Sequence, residues 1–188
     1  WMIAPDASGR DILQRHDLGR AFWLSFTDPL EAERIAAPGV NRPVTFTDPE
    51  VRAAFVDECA WFAGHFQPDY LAIGVEIESF LAAVTPAERS GFLAAFVSAR
   101  NACKAAWPQC RVFMYFQYEN VRARDLWSII APFAQAGDAY AFSSYPSLPM
   151  SGANTGHTSA TLSETYYDEI AVRLGSDRPV VIAELGHP

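Results

Sequence analysis

Five short apolar runs, each separated from the next by a longer stretch with helical spacing, constrain this chain more than any other feature. They are 21–26 (AFWLSF), Tyr70–Val75 (YLAIGV), 111–116 (RVFMYF), 139–144 (AYAFSS) and 179–184 (PVVIAE). Most are apolar at successive positions and do not alternate with polar residues. That is the pattern of strands covered on both faces, and it requires helices to cover them. The βαβα rhythm therefore predicts an α/β fold with a parallel sheet. Right-handed crossovers then place the five strands side by side in chain order.

The intervening segments carry helix start and stop signals. In Thr47-Asp48-Pro49-Glu50, Thr47 is suited to cap the free amides, Pro49 to the first turn and Glu50 to a capping box. This helix is expected to run to about residue 65. Thr85-Pro86-Ala87-Glu88 repeats the signal, and Phe92, Ala95, Phe96 and Ala99 hold helical spacing to about Ala106, before Pro108. Further helices are expected over 124–136 and 163–174, the second closed by Gly175. Pro, Gly and Ser concentrate only at 143–156, a long loop after a strand, so all 188 residues read as one domain.

Charge and motif content remove several function classes. No run of eighteen apolar residues occurs, so no membrane span is expected. The first residues lack the basic start and apolar stretch of a signal peptide, and Trp1-Met2-Ile3 reads as the interior of a longer chain. A net charge of −8, with Lys104 the sole lysine and the arginines scattered, argues against nucleic acid as a partner. His16, His65, His157 and His187 have no metal-ligand spacing, and Cys59, Cys103 and Cys110 have none either. No metal or cofactor is expected, since phosphate-binding loops and Gly-x-Ser-x-Gly are also missing. The cysteines read as buried thiols, with a Cys103–Cys110 bridge as the alternative.

Two of the apolar runs lead into a glutamate: Glu76 in DYLAIGVEIES and Glu184 in RPVVIAELGHP. A carboxylate at the C-terminal end of a parallel strand has its backbone held by the sheet and its side chain at the mouth where such enzymes bind substrate. Paired carboxylates suit glycoside hydrolysis, in which one group protonates the leaving oxygen while the other attacks the anomeric carbon; a separation of about 5 Å goes with retention. Glu78 and Glu119 also lie just past strand ends and compete for these roles, or else sit on solvated loops. Asp28 follows the first run and reads as a turn residue.

DYLAIGVEIES resembles the fourth-strand motif of clan A glycoside hydrolases, usually written with Ile-Gly-Asn-Glu. PVVIAELGHP resembles their seventh-strand motif, commonly a run of Val and Ile and then Thr-Glu-Thr-Gly-Trp-Pro. The resemblance implies a (β/α)8 TIM barrel of which this chain holds about strands three to seven, without roughly the first two strands and the last. It implies a retaining O-glycosyl hydrolase with Glu76 as acid/base and Glu184 as nucleophile. The substrate class would be a β-linked oligosaccharide or polysaccharide, β-mannan and β-galactan among them, met outside the cell or in the periplasm. Two departures stand out: Val75 occupies the place of the Asn that contacts the sugar 2-hydroxyl, and His187 that of the Trp. His187 would contact sugar or cap the strand.

Ser143-Ser144-Tyr145-Pro146 resembles the clan's sixth-strand ending, which implies a hydrogen bond from Tyr145 to Glu184. Glu78 and Tyr118 complete the expected substrate contacts, Tyr118 by stacking on a sugar ring. Trp23 and Tyr115 are also near strand ends, and for them core packing is the stronger expectation. The competing reading is a non-catalytic carbohydrate-binding barrel derived from such an enzyme, and Val75 favours it. A barrel enzyme of different chemistry is a third.

Overall fold

A computed structural model describes residues 21–23, 45–147, 149–150, 153–154 and 161–186. Its main sheet contains β1 (Ala21–Trp23), β2 (Tyr70–Val75), β3 (Arg111–Gln117), β4 (Tyr140–Ser144) and β7 (Val180–Leu185) in that spatial order. Every neighbouring pair is parallel. This is the α/β arrangement with strands in chain order that the apolar runs predict. β5 (Pro149–Met150) and β6 (Ala153–Asn154) form a separate antiparallel pair in the long loop after β4.

Six helices occur among the described residues: α1 (Pro49–Phe66), α2 (Glu78–Ala83), α3 (Pro86–Ala106), α4 (Tyr118–Ala123), α5 (Trp127–Ala136) and α6 (Asp168–Leu174). The α3 start follows its sequence signal, since Thr85 Oγ1 accepts from Glu88 N at 3.2 Å. At α1 the cap is Asp48 and not Thr47. The carboxylate of Asp48 accepts from Glu50 N at 2.8 Å, while the Thr47 hydroxyl is hydrogen-bonded to that of Thr45.

The helix expected over 124–136 is α5, which begins only at Trp127, and the short α4 before it was not expected. Gln117 Oε1 accepts from Asn120 N, which starts α4 directly at the end of β3, and Asp125 at φ 49° interrupts the helical path before α5. The helix expected from residue 163 begins only at Asp168. Thr165 N donates to Ser163 Oγ at 3.2 Å, a local turn that competes with helix. It ends at Gly175, whose φ of 104° suits a residue without a side chain. Helix α2 has no capping side chain and no start signal in the sequence.

The sheet separates two apolar regions. On one face Leu71, Ile73, Val112, Met114, Phe116, Tyr140 and Phe142 pack with the helices. Phe46, Phe80, Phe92 and Phe133 lie at the centre of this layer, with Phe46 and Phe92 stacked at 4.4 Å. Phe92 is fully buried, and its truncation to Ala is expected to cost about 3–5 kcal/mol. The opposite face carries Ala72, Phe113, Tyr115, Ala139 and Ala141, with Val75, Val181 and Ala183 against them. Cys59, Cys103 and Cys110 are free and buried, and burial pushes the Cys103 and Cys110 thiols up to about 12, which suits inert packing.

Candidate active site

Local irregularities in two strands place the two glutamates. Between β2 and β3 the pairing runs Ala72 with Phe113 and then Val75 with Tyr115, three steps against two. Between β4 and β7 it runs Phe142 with Ile182 and then Ser143 with Glu184, one step against two. Because side chains alternate across a strand, one extra residue turns everything after it to the other face. Glu184 thus comes opposite Ser143. Glu76 follows Val75 at φ 47°, a left-handed conformation rare for a residue with a side chain and enriched at functional sites.

Ser143 is the common neighbour of the pair. Its hydroxyl donates to Glu76 Oε1 at 2.6 Å, and its backbone is the register partner of Glu184. Both carboxylates are half-buried. Glu184 accepts from two phenols, Tyr115 on Oε1 and Tyr145 on Oε2, the latter at 2.5 Å. Among the described residues neither Glu76 nor Glu184 has an ion pair.

The electrostatics of the two differ. Burial raises the Glu76 pKa above its ordinary value, the Ser143 hydrogen bond opposes this, and negative charge on Glu184 and Glu119 adds to the rise. Tyr115 is held well above the usual tyrosine range, by burial first and then by its bond to Glu184; for Tyr145 the bond to Glu184 is the larger cause. Both phenols therefore stay as donors to Glu184. Burial thus favours the neutral form of Glu76, while Glu184 sits between two phenol donors.

Two further carboxyl groups near the pair are buried and hydrogen-bonded. Glu78 is 3% exposed and accepts from Gln117 N at 3.1 Å and Asn120 Nδ2 at 2.8 Å, while burial raises its pKa. Glu119 is 1% exposed and accepts from Gln117 Nε2, Ser144 Oγ, Tyr145 N and Tyr166 OH. Neither lies on the solvated loop that was the alternative for them. Tyr118, expected to stack on sugar, is instead fully buried on the helix side of the sheet, with its hydroxyl donating to Tyr166 O at 2.6 Å. Because α4 begins directly after Gln117, the backbone turns there and carries Tyr118 into the core. His187 and Asp28 lie outside the described residues.

Sequence reasoning did not find Ser143, Gln117 or the role of Tyr115. Phe113, Tyr115 and Gln117 share one face of β3 by the period of two, so Tyr115 stands on the face that carries the glutamates. That alternation was the available signal. It was masked because nearly every residue of β3 is apolar.

Fold and site together define an α/β domain whose parallel strands carry Glu76 and Glu184 at their C-terminal ends, with Ser143 between them. A solved structure similar to it is the Ignisphaera aggregans GH53 catalytic domain, with a TM-score of 0.50 and 15% identity over 94% of this chain and 59% of that one. The chain spans about three fifths of the length of that domain, and at this identity it is the fold that the two share. No family model and no curated protein matches the sequence.

Proposed function

We propose that this chain is the catalytic part of a retaining O-glycosyl hydrolase acting on a β-linked glycan. In this reading β1 to β4 and β7 are the third to seventh strands of a (β/α)8 barrel. The supporting observation is the constellation at the ends of β2, β4 and β7: Glu76 with a raised pKa, Glu184 held by two phenols, and Ser143 between them.

In the first step Glu184 attacks the anomeric carbon, the bond from that carbon to the leaving oxygen breaks, and Glu76 delivers its proton to that oxygen. In the second step Glu76 takes a proton from water, the water oxygen bonds to the anomeric carbon, and Glu184 leaves as carboxylate. Tyr115 and Tyr145 keep Glu184 aimed throughout. The structural neighbour is a glycoside hydrolase catalytic domain, which agrees with a carbohydrate substrate. The second reading, a carbohydrate-binding domain without turnover, is favoured by Val75, which offers no hydrogen bond to a sugar 2-hydroxyl.

Azide rescue in the full-length protein separates the two readings. Glu184→Ala should lose turnover and regain it with azide, giving a glycosyl azide of inverted configuration. Glu76→Ala should still react with an activated aryl β-glycoside, whose leaving group needs no proton, and azide should then give a product of retained configuration. Wild-type activity in both variants would sink the assignment, and absence of turnover by the wild type with retained oligosaccharide binding would establish the second reading.

A further inference from the structure

Glu119 is the most deeply buried carboxylate among the described residues, and the proposed reaction does not use it directly. It receives four donors from four places: Gln117 Nε2 at the end of β3, Ser144 Oγ at the end of β4, Tyr145 N just after it, and Tyr166 OH in the turn before α6. Ser144 Oγ in turn accepts from Tyr167 OH at 2.9 Å. Among the described residues no arginine or lysine forms an ion pair with Glu119. Burying a carboxylate without a cation is expensive, and here hydrogen bonds alone offset that cost.

One of those bonds leads to the reacting groups. Tyr145 N donates to Glu119 Oε2 at 3.1 Å, and the Tyr145 hydroxyl donates to Glu184 Oε2. We infer that Glu119 is a positioning residue: it clasps the end of β4 and fixes the Tyr145 backbone where its phenol meets the nucleophile. The inference rests on Glu184 being that nucleophile.

Hydrogen-bond chemistry grades the substitutions. Glu119 Oε2 faces the Tyr145 backbone N–H, which cannot reverse, and the Gln117 amide, whose oxygen is engaged by Asn120 N, whereas Oε1 faces two hydroxyls that can rotate to accept. Gln at this position therefore fits with its oxygen toward Tyr145 N and its amide toward the hydroxyls. Ala leaves all four donors without their acceptor. Position, more than charge, is what the clasp supplies.

The test uses the full-length protein with Glu119→Gln, Glu119→Ala, Tyr145→Phe and the Glu119→Ala/Tyr145→Phe pair, assayed on an activated aryl β-glycoside and examined by crystallography. Glu119→Gln should keep the Tyr145–Glu184 bond and stay within about 10-fold of wild-type kcat, because its oxygen preserves the contact. Glu119→Ala should lose that bond and about 100-fold in kcat with KM little changed, as expected of a small misplacement at a reacting group. The double variant should be no slower than the slower of its parents, since both changes remove one unit. Tyr145 still bonded to Glu184 in Glu119→Ala, or full additivity in the pair, would overturn the inference. Should Glu119→Ala not fold, a Glu119→Gln variant that loses more than about 10-fold with Tyr145 in place overturns it equally. If Glu184→Ala retains activity the nucleophile assignment falls, while the Tyr145 position in the Glu119 variants still decides what Glu119 holds.

Discussion

The Tyr145 ring lies so close to Gly186 that a methyl group on the glycine would fall 2.1 Å from Cδ1 and 2.5 Å from Cε1. Gly186 N also donates to Ser144 O at 3.0 Å, which ties the chain after β7 to the end of β4. Tyr145 is therefore fixed at its amide by Glu119, at its ring by Gly186 and at its hydroxyl by Glu184. Only a residue without Cβ leaves room for that ring.

Gly186→Ala follows directly from this contact. The ring must swing away, and Glu184 loses one of its two donors. A drop in kcat/KM of about 10- to 100-fold is expected from such a displacement, with the thermal midpoint nearly unchanged because Gly186 is not in the core. Steady-state kinetics beside a melting curve checks it, and unchanged kinetics would show that the ring has another place to go.

The two phenols give a second test, read by tyrosinate absorbance during an alkaline titration. In the wild type both Tyr115 and Tyr145 resist ionisation. Glu184→Gln removes the negative acceptor, so both should titrate at lower pH than in the wild type. Tyr145 should move further, since its bond to Glu184 is the main cause of its shift, whereas burial is the main cause for Tyr115. Equal titrations in both proteins would mean that the phenols do not report on Glu184.

Ser143→Ala tests the proton on Glu76. The Ser143 hydroxyl donates to the carboxylate and so stabilises the ionised form; without it the Glu76 pKa rises further. The acid/base must be protonated in the first step, so the alkaline limb of kcat/KM should move to higher pH. A hydrogen bond to a charged group, worth about 1.5–3 kcal/mol, corresponds to roughly one to two pH units at most. Movement of the limb to lower pH would contradict the assignment.

Strand order was legible because it depends on apolar runs and on the handedness of crossovers, both properties of the chain as a string. The places of Glu76 and Glu184 at strand ends were legible for the same reason. The irregular pairings at Ala72–Val75 and at Phe142–Ser143 were not, because a bulge is settled between two strands and neither strand alone encodes it. Glu78 and Glu119 were given a solvated alternative because isolated glutamates are seldom buried. Their burial depends on Gln117, Asn120, Ser144 and Tyr166, which come from separate segments and meet only in the fold.

Glu76 carries a stability consequence with a definite sign. Its folded-state pKa lies above the ordinary carboxylate value, so the folded protein holds the proton more tightly than the unfolded chain. That stability is fully present below about pH 4.5 and is lost as pH rises through the raised value. Gln imitates the protonated side chain: its oxygen can accept from Ser143, and its amide brings no charge near Glu184. Glu76→Gln should thus be more stable than the wild type at pH 7, with a higher Tm, while acid catalysis is lost. The difference should close below about pH 4, where both proteins carry a neutral group. Thermal unfolding at a series of pH values measures this, and a Gln variant less stable than the wild type at pH 7 would show that ionised Glu76 supports the fold.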